Sequence, residues 1–352
     1  MFLAVALATV FAGCGGRGGS STTTSSSSTP TKRRHPSGRS GGGERLRPPG
    51  PPVTAENGAR AEQLGSIRVS RAELVDLGYL PDGRTIVCGD DFGVLRSVDS
   101  RTGSAAVLFR GGSRIWAVGV RRDGTVAWGD EAGALRLLSP RSKKPRHLNV
   151  DGEGVFDLAW APKGNLLAAG LDSGLVRVLG TGAEKLRGLD LTALGVAWSP
   201  NGASLAGASY IGAGAIWDVA SARLTQRLRY PRNDQGQDMN GIAWLRRPDA
   251  VVTASQDGGV RFWNPSSGEI TGGLPKQSGW SRALAPSPRA DVLADGGSEG
   301  TARLSDPGSL RVLASVRSGP NAIWGLAWSP DGRAVASACG DGRIRLVGVP
   351  LT

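Results

Sequence analysis

The sequence predicts an all-β fold, a seven-bladed propeller of four-stranded antiparallel blades. Three observations predict it. One phrase of short strands recurs seven times between residues 74 and 352. The period is about 40 residues, the length of one four-stranded blade. Turn residues stand at matching places in each copy. The fullest copy is the last, IWGLAWSPDGRAVASACGDGRIR from Ile323 to Arg345.

Each copy opens with an apolar strand that ends in a turn. The turns fall at Pro81-Asp82-Gly83, Arg122-Asp123-Gly124, Pro162-Lys163-Gly164, Pro200-Asn201-Gly202, Pro248-Asp249-Ala250, Pro288-Arg289-Ala290 and Pro330-Asp331-Gly332. Proline presets φ at the first corner and glycine accepts a positive φ at the last. A second strand rich in Ala, Gly and Ser follows, as in Leu166 to Gly170 and Val335 to Cys339, and small side chains there let neighbouring sheets approach. A second turn closes it, at Asp172-Ser173-Gly174, Asp257-Gly258-Gly259, Glu299-Gly300 and Asp341-Gly342. Asp-Gly between apolar runs is a hairpin signal. Third strands alternate: in Val260-Arg261-Phe262-Trp263 and Ile344-Arg345-Leu346-Val347 arginine occupies one face, as in a half-buried strand. Trp160, Trp198, Trp244 and Trp328 fill one slot before the first turn and are expected in the core.

The last copy stops after its third strand. An open ring would leave a bare sheet edge. The strand-like stretch Gly65 to Ser70 is therefore expected to supply the outermost strand of the last blade.

The AWSPDG phrases resemble those of the WD-repeat (tryptophan-aspartate repeat) β-propeller family in its bacterial form, over residues 65 to 352. The Gly-His pair of that family is absent. Its Trp-Asp survives at Trp217-Asp218 and, as Trp-Asn, at Trp263-Asn264. The family's His–Ser/Thr–Asp–Trp network is therefore expected to be missing from most blades, with stability left to apolar burial and sheet hydrogen bonds.

The chain reads as three segments: 1–13, 14–63 and 64–352. Phe2 to Ala12 is uncharged and apolar, too short to span a bilayer as a helix and suited to an export signal. Phe11-Ala12-Gly13-Cys14 resembles a bacterial lipobox, which implies lipidation at Cys14 and a protein held by a lipid anchor in a bacterial cell envelope. Residues 14–63 are rich in Gly, Ser, Thr, Pro and Arg and read as a disordered tether. Residues 64–352 are the propeller. Lys and Arg number 42 against 30 Asp and Glu over the chain. The basic residues are scattered along strands without interleaved aromatics, so no nucleic-acid partner is expected.

Little in the sequence points to catalysis. The two histidines, His35 and His147, stand at no metal-ligand spacing with each other or with cysteine. Gly296 to Gly300 spells GxSxG, but across a strand-to-strand hairpin, where a nucleophile elbow needs a strand-to-helix turn. Cys88 and Cys339 are expected as buried thiols. No metal, cofactor or catalytic residue is expected.

The resemblance implies that partners dock where loops lead into the first strands. The residues four before the Trp slot are Val75, Trp116, Phe156, Leu194, Asn240, Arg282 and Trp324. Two earlier stand Glu73, Arg114, Gly154, Thr192, Asp238, Trp280 and Ala322. From these we expect a partner-binding rim of Trp116, Phe156, Trp280, Arg282, Trp324, Arg114, Asn240 and Asp238, since Trp and Arg are enriched at binding hot spots. The 48-residue step before the fifth copy reflects an insertion, Tyr230 to Asp238, expected on the same mouth. The expected function is a monomeric, non-catalytic protein-binding platform. Two alternatives are a propeller-type enzyme (a lactonase or quinone-dependent dehydrogenase), and a cytosolic or fragmentary scaffold from a longer signalling protein.

Overall fold

The computed structural model describes residues 46–142, 144–180, 184–231 and 238–351. Seven four-stranded sheets form seven blades. Blade 1 comprises Leu74–Tyr79, Thr85–Asp90, Val94–Asp99 and Ala105–Arg110 from inside outward. The innermost strands of blades 2 to 7 are Ile115–Val120, Val155–Trp160, Ala193–Trp198, Met239–Leu245, Ser281–Pro286 and Ile323–Trp328.

The ring closes at blade 7. Glu62–Arg68 is its outermost strand, antiparallel to Arg343–Gly348, with Ile67 opposite Ile344. The expected closure by residues 65–70 is thus observed. A second wrap was not expected. Residues 46–61, assigned to the tether from composition, pack onto the blade 7 side. Pro49 bridges Pro350, the Gly50 amide donates to Val349 O at 2.7 Å, and Val53 is fully buried. The Gly and Pro that suggest disorder here serve close backbone approach instead. Residues 1–45, with the signal segment, Cys14 and the rest of the tether, lie outside the described residues.

Apolar clusters fill the spaces between adjacent blades. One joins blades 1 and 7 through Leu64, Ile67, Leu77, Ile86, Ile344 and Leu346. The second strands are buried on both faces, which is why they carry Ala, Gly and Ser. Of the slot tryptophans, Trp198 and Trp328 are buried. Each indole donates to a carbonyl of the preceding blade, Ala159 O at 2.9 Å and Ala285 O at 2.8 Å. Trp160 and Trp244 are only half-buried and line the second mouth of the ring.

The third strands differ from expectation. Val260–Trp263 is buried on both faces, so its arginine does not face water. Arg96, Arg136, Arg177, Arg261, Arg303 and Arg345 occupy one register position in six blades, opposite Cys88, Trp128, Ala169, Thr253, Asp295 and Ser337. Each is clasped by an aspartate: Asp90, Asp130, Asp151, Asp257, Asp295 and Asp341 respectively. Buried arginine requires a carboxylate partner, so this charged device adds to the apolar burial and sheet bonds expected to hold the blades. Blade 5 keeps a neutral chain too, in which Trp263 Nε1 donates to Thr253 Oγ1 at 2.9 Å and the Tyr230 hydroxyl bonds Thr253 and Ser255. Tyr230, expected in an insertion on the mouth of the ring, is core and stacks on Trp263. Residues 232–237 of that insertion lie outside the described residues.

Candidate functional site

All seven innermost strands carry a register shift at the same place, between Leu74 and Asp76, Ile115 and Ala117, Val155 and Asp157, Ala193 and Gly195, Met239 and Gly241, Ser281 and Ala283, and Ile323 and Gly325. The extra residue of each bulge is Val75, Trp116, Phe156, Leu194, Asn240, Arg282 or Trp324. A bulge leaves its extra residue unpaired and re-aims the side chain. Seven such residues therefore converge on the axis, where all of them line one cavity of about 100 Å3. The equal spacing in the sequence was the trace of this geometry.

The residue after each bulge is small or Asp, and the reason is proximity between blades. A Cβ on Gly241 would stand 1.9 Å from Arg282 O. Where Asp replaces the small residue, it bonds instead. Asp76 accepts the Leu77 amide at 2.8 Å and, across to blade 2, the Val118 amide at 2.7 Å. Asp157 does the same with Leu158 and with Val196 of blade 4, at 2.8 and 2.7 Å.

Arg282 sits between these carboxylates and the aromatic residues. Its guanidinium carbon lies 5.4 Å from the Trp116 ring centroid and 5.7 Å from that of Trp324, within cation–π range. Trp116 stacks on Phe156 at 5.5 Å, and Trp324 meets Trp280 at 5.1 Å. Burial pushes the Asp76 carboxyl up to about 7; the nearby Asp157 adds to this, and the two backbone amides and Arg282 oppose it. Burial likewise raises Asp157 to about 6, against its amides and Arg282. Arg282 is pulled below its ordinary range by burial and held up by Asp157 and Asp76. It is therefore a structural counter-charge as well as a rim residue.

The outer layer completes the mouth. Arg114 lies 4.8 Å from the Trp116 centroid and pairs loosely with Glu73 and Asp91, at 3.7 and 3.8 Å. Asn240 Nδ2 donates to Ser281 O at 3.1 Å, which fixes its side chain to the next blade. Asp238 accepts the Ile211 amide at 3.1 Å. The eight expected rim residues thus occupy one end of the ring in two layers. Trp116, Phe156, Arg282, Trp324 and Asn240 line the channel, with Arg114, Trp280 and Asp238 two residues before their bulges. Asp76 and Asp157 were missed. Their signal was available, as the only acids in a position otherwise held by Gly or Ala.

Among the described residues, no group of three His, Cys, Asp or Glu is placed to hold a metal ion. His147 lies exposed on an outer strand. Ser298 of the GxSxG string sits in a hairpin turn, and Cys88 and Cys339 are buried free thiols.

Comparison with known proteins agrees with the architecture. The WD domain, G-beta repeat, family model matches residues 143–178 and 311–347. The second match begins on the outer strand of blade 6 and ends on the third strand of blade 7. The chain is a seven-bladed propeller in which these two stretches match WD repeats. Cell division cycle 20.1, cofactor of APC complex, from Arabidopsis thaliana is 23% identical over 307 residues, covering 85% of this chain and 59% of the relative. Cell division cycle 20.5, cofactor of APC complex, from the same plant is 26% identical over 203 residues, covering 54% and 45%. Coronin-7 from Bos taurus is 32% identical over 131 residues, covering 33% and 14%. The chain thus spans less than two thirds of the length of each of these relatives.

Proposed function

We propose that the first mouth, where the bulged residues converge, is a non-catalytic docking platform for a protein partner. The observation that carries this is the convergence of Trp116, Phe156, Arg282 and Trp324 at one end of the ring, with Trp280 and Arg114 above them. Aromatic residues and arginine on a rigid scaffold bind with little ordering cost. The similarity to relatives named as cofactors of the APC complex supports a role inside an assembly. The platform acts as a monomer and uses no cofactor.

We further propose that it works at a bacterial cell envelope, held by a lipid at Cys14. The Phe11-Ala12-Gly13-Cys14 sequence after an uncharged apolar run supports this. In cell fractionation, Cys14→Ala is expected to move the protein from the membrane to the soluble fraction. Unchanged partition would remove the anchor.

Trp280→Ala tests the platform. Loss of a hot-spot aromatic costs about 2 kcal/mol or more, so capture of crosslinked neighbours is expected to fall at least tenfold with the melting temperature held. Arg282→Ala does not serve for this purpose, because it also removes the positive charge that acts on buried Asp76 and Asp157, leaving them their backbone amides alone, and is expected to lower stability. Unaltered capture with Trp280→Ala, Arg114→Ala and their double variant would end the platform reading.

A further inference from the structure

Blade 4 breaks the repeat at the hairpin between Ser204–Ser209 and Ala213–Asp218, and it does so in three linked ways. Ala215 stands where six blades carry the clasped arginine. The turn is Tyr210-Ile211-Gly212, where most blades place polar residues before the glycine. Ile211 has φ of +53°, next to Gly212 at +64°, while in the other six hairpins only the glycine is left-handed. Two successive positive φ values favour Asn-Gly or Gly-Gly, and a β-branched residue there is strained. Ile211 is nevertheless 56% exposed, so its side chain gains little from packing to offset that strain.

Its neighbours are apolar and exposed too. Tyr210 adjoins it, and Leu191 is tied to the same hairpin by the Ser209 hydroxyl, which donates to Leu191 O at 2.8 Å. Carboxylates border the patch. Asp238 accepts the Ile211 amide, Asp172 accepts the Thr192 hydroxyl at 3.0 Å, and Asp190 is exposed just before Leu191.

We propose that Leu191, Tyr210 and Ile211 form the apolar anchor point of the platform, taking an apolar side chain of the partner beside a Lys or Arg that meets Asp172, Asp190 and Asp238. Strain held by an exposed apolar residue is explained when a bound partner covers it, and the acidic border fixes the charge of that partner. This rests on the reading of the first mouth as a docking face.

The test uses a displayed library of random linear peptides panned against the full chain. Enriched peptides are expected to place an apolar residue within two positions of Lys or Arg. Ile211→Gly is expected to weaken their binding at least tenfold by fluorescence anisotropy, while melting no lower than wild type because the strain is relieved. Failure to enrich such peptides, binding within twofold of wild type, or a lower melting temperature for Ile211→Gly would each overturn the anchor. Peptides lost by Trp280→Ala but indifferent to Ile211→Gly would overturn it and leave the platform standing. Peptides indifferent to both would count against both.

Discussion

Asp295→Ala is expected to destabilise the propeller by about 3–5 kcal/mol, the cost of stranding one member of a buried ion pair. Asp295 is fully buried and Arg303 is 4% exposed. Arg303 Nε donates to both Asp295 oxygens, at 3.0 and 3.1 Å, and Gln277 Nε2 donates to Oδ2 at 2.6 Å. Without the carboxylate, the guanidinium keeps only the Pro275 carbonyl among these partners. Domains slightly smaller than this one lose about 2–4 °C of melting temperature per kcal/mol, so thermal unfolding followed by circular dichroism reads the effect directly. Replacing both members, as Asp295→Leu with Arg303→Met, is expected to recover most of the loss, because the desolvation cost leaves with the charges.

The cost should also grade with burial. Asp151, which clasps Arg177, has a side chain 42% exposed and shares Lys185. Water reaches that carboxylate, so Asp151→Ala is expected to cost well below Asp295→Ala. Equal losses at both positions, or none at Asp295, would show that the clasps do not hold the blades.

These clasps mark the boundary of what the sequence reveals. Turn chemistry and period lead to seven blades because each turn needs its own backbone geometry, and Pro, Asp and Gly record that need locally. The channel ring was legible for a related reason, since a bulge at a constant place leaves a constant spacing from the Trp slot. Arg261 and Arg345 misled because alternation with apolar residues is also the pattern of a strand with one wet face. Only the blade next door decides between the two. The clasping acids wander besides, from second strand at Asp90, Asp130 and Asp295 to hairpin at Asp257 and Asp341 and to the preceding loop at Asp151. No fixed spacing pairs them with the arginines. Residues 46–61 were hidden by composition, because Pro and Gly serve close backbone contact as well as disorder.

A chain beginning at Arg71 is expected to lose the whole propeller rather than one blade. It lacks Glu62–Arg68 and the wrap before it, so Arg343–Gly348 becomes an open edge. Three apolar side chains buried in the seam go with it: Val53 and Leu64 at 0 and 1% exposure, and Ile67 at 4%. Burying such a side chain contributes about 1.5–3 kcal/mol, so the loss is roughly 5–9 kcal/mol, comparable with the roughly 5–15 kcal/mol of a typical domain. Polar contacts across the seam disappear as well, including Arg68 Nη1 to Asp341 O at 2.6 Å and Ser70 Oγ to Asp90 Oδ2 at 3.0 Å. A chain beginning at Leu46 retains all of these and is expected to melt like the full protein. One beginning at Glu62 gives up Val53 and the bridge from Pro49 to Pro350 but keeps the closing strand, and belongs between the two. Each blade packs on the next around a closed ring, so a seam opened at blade 7 loosens blade 1 at the same time. If the Arg71 chain melts cooperatively near the full-length midpoint, closure contributes little and the blades are held by their neighbours alone.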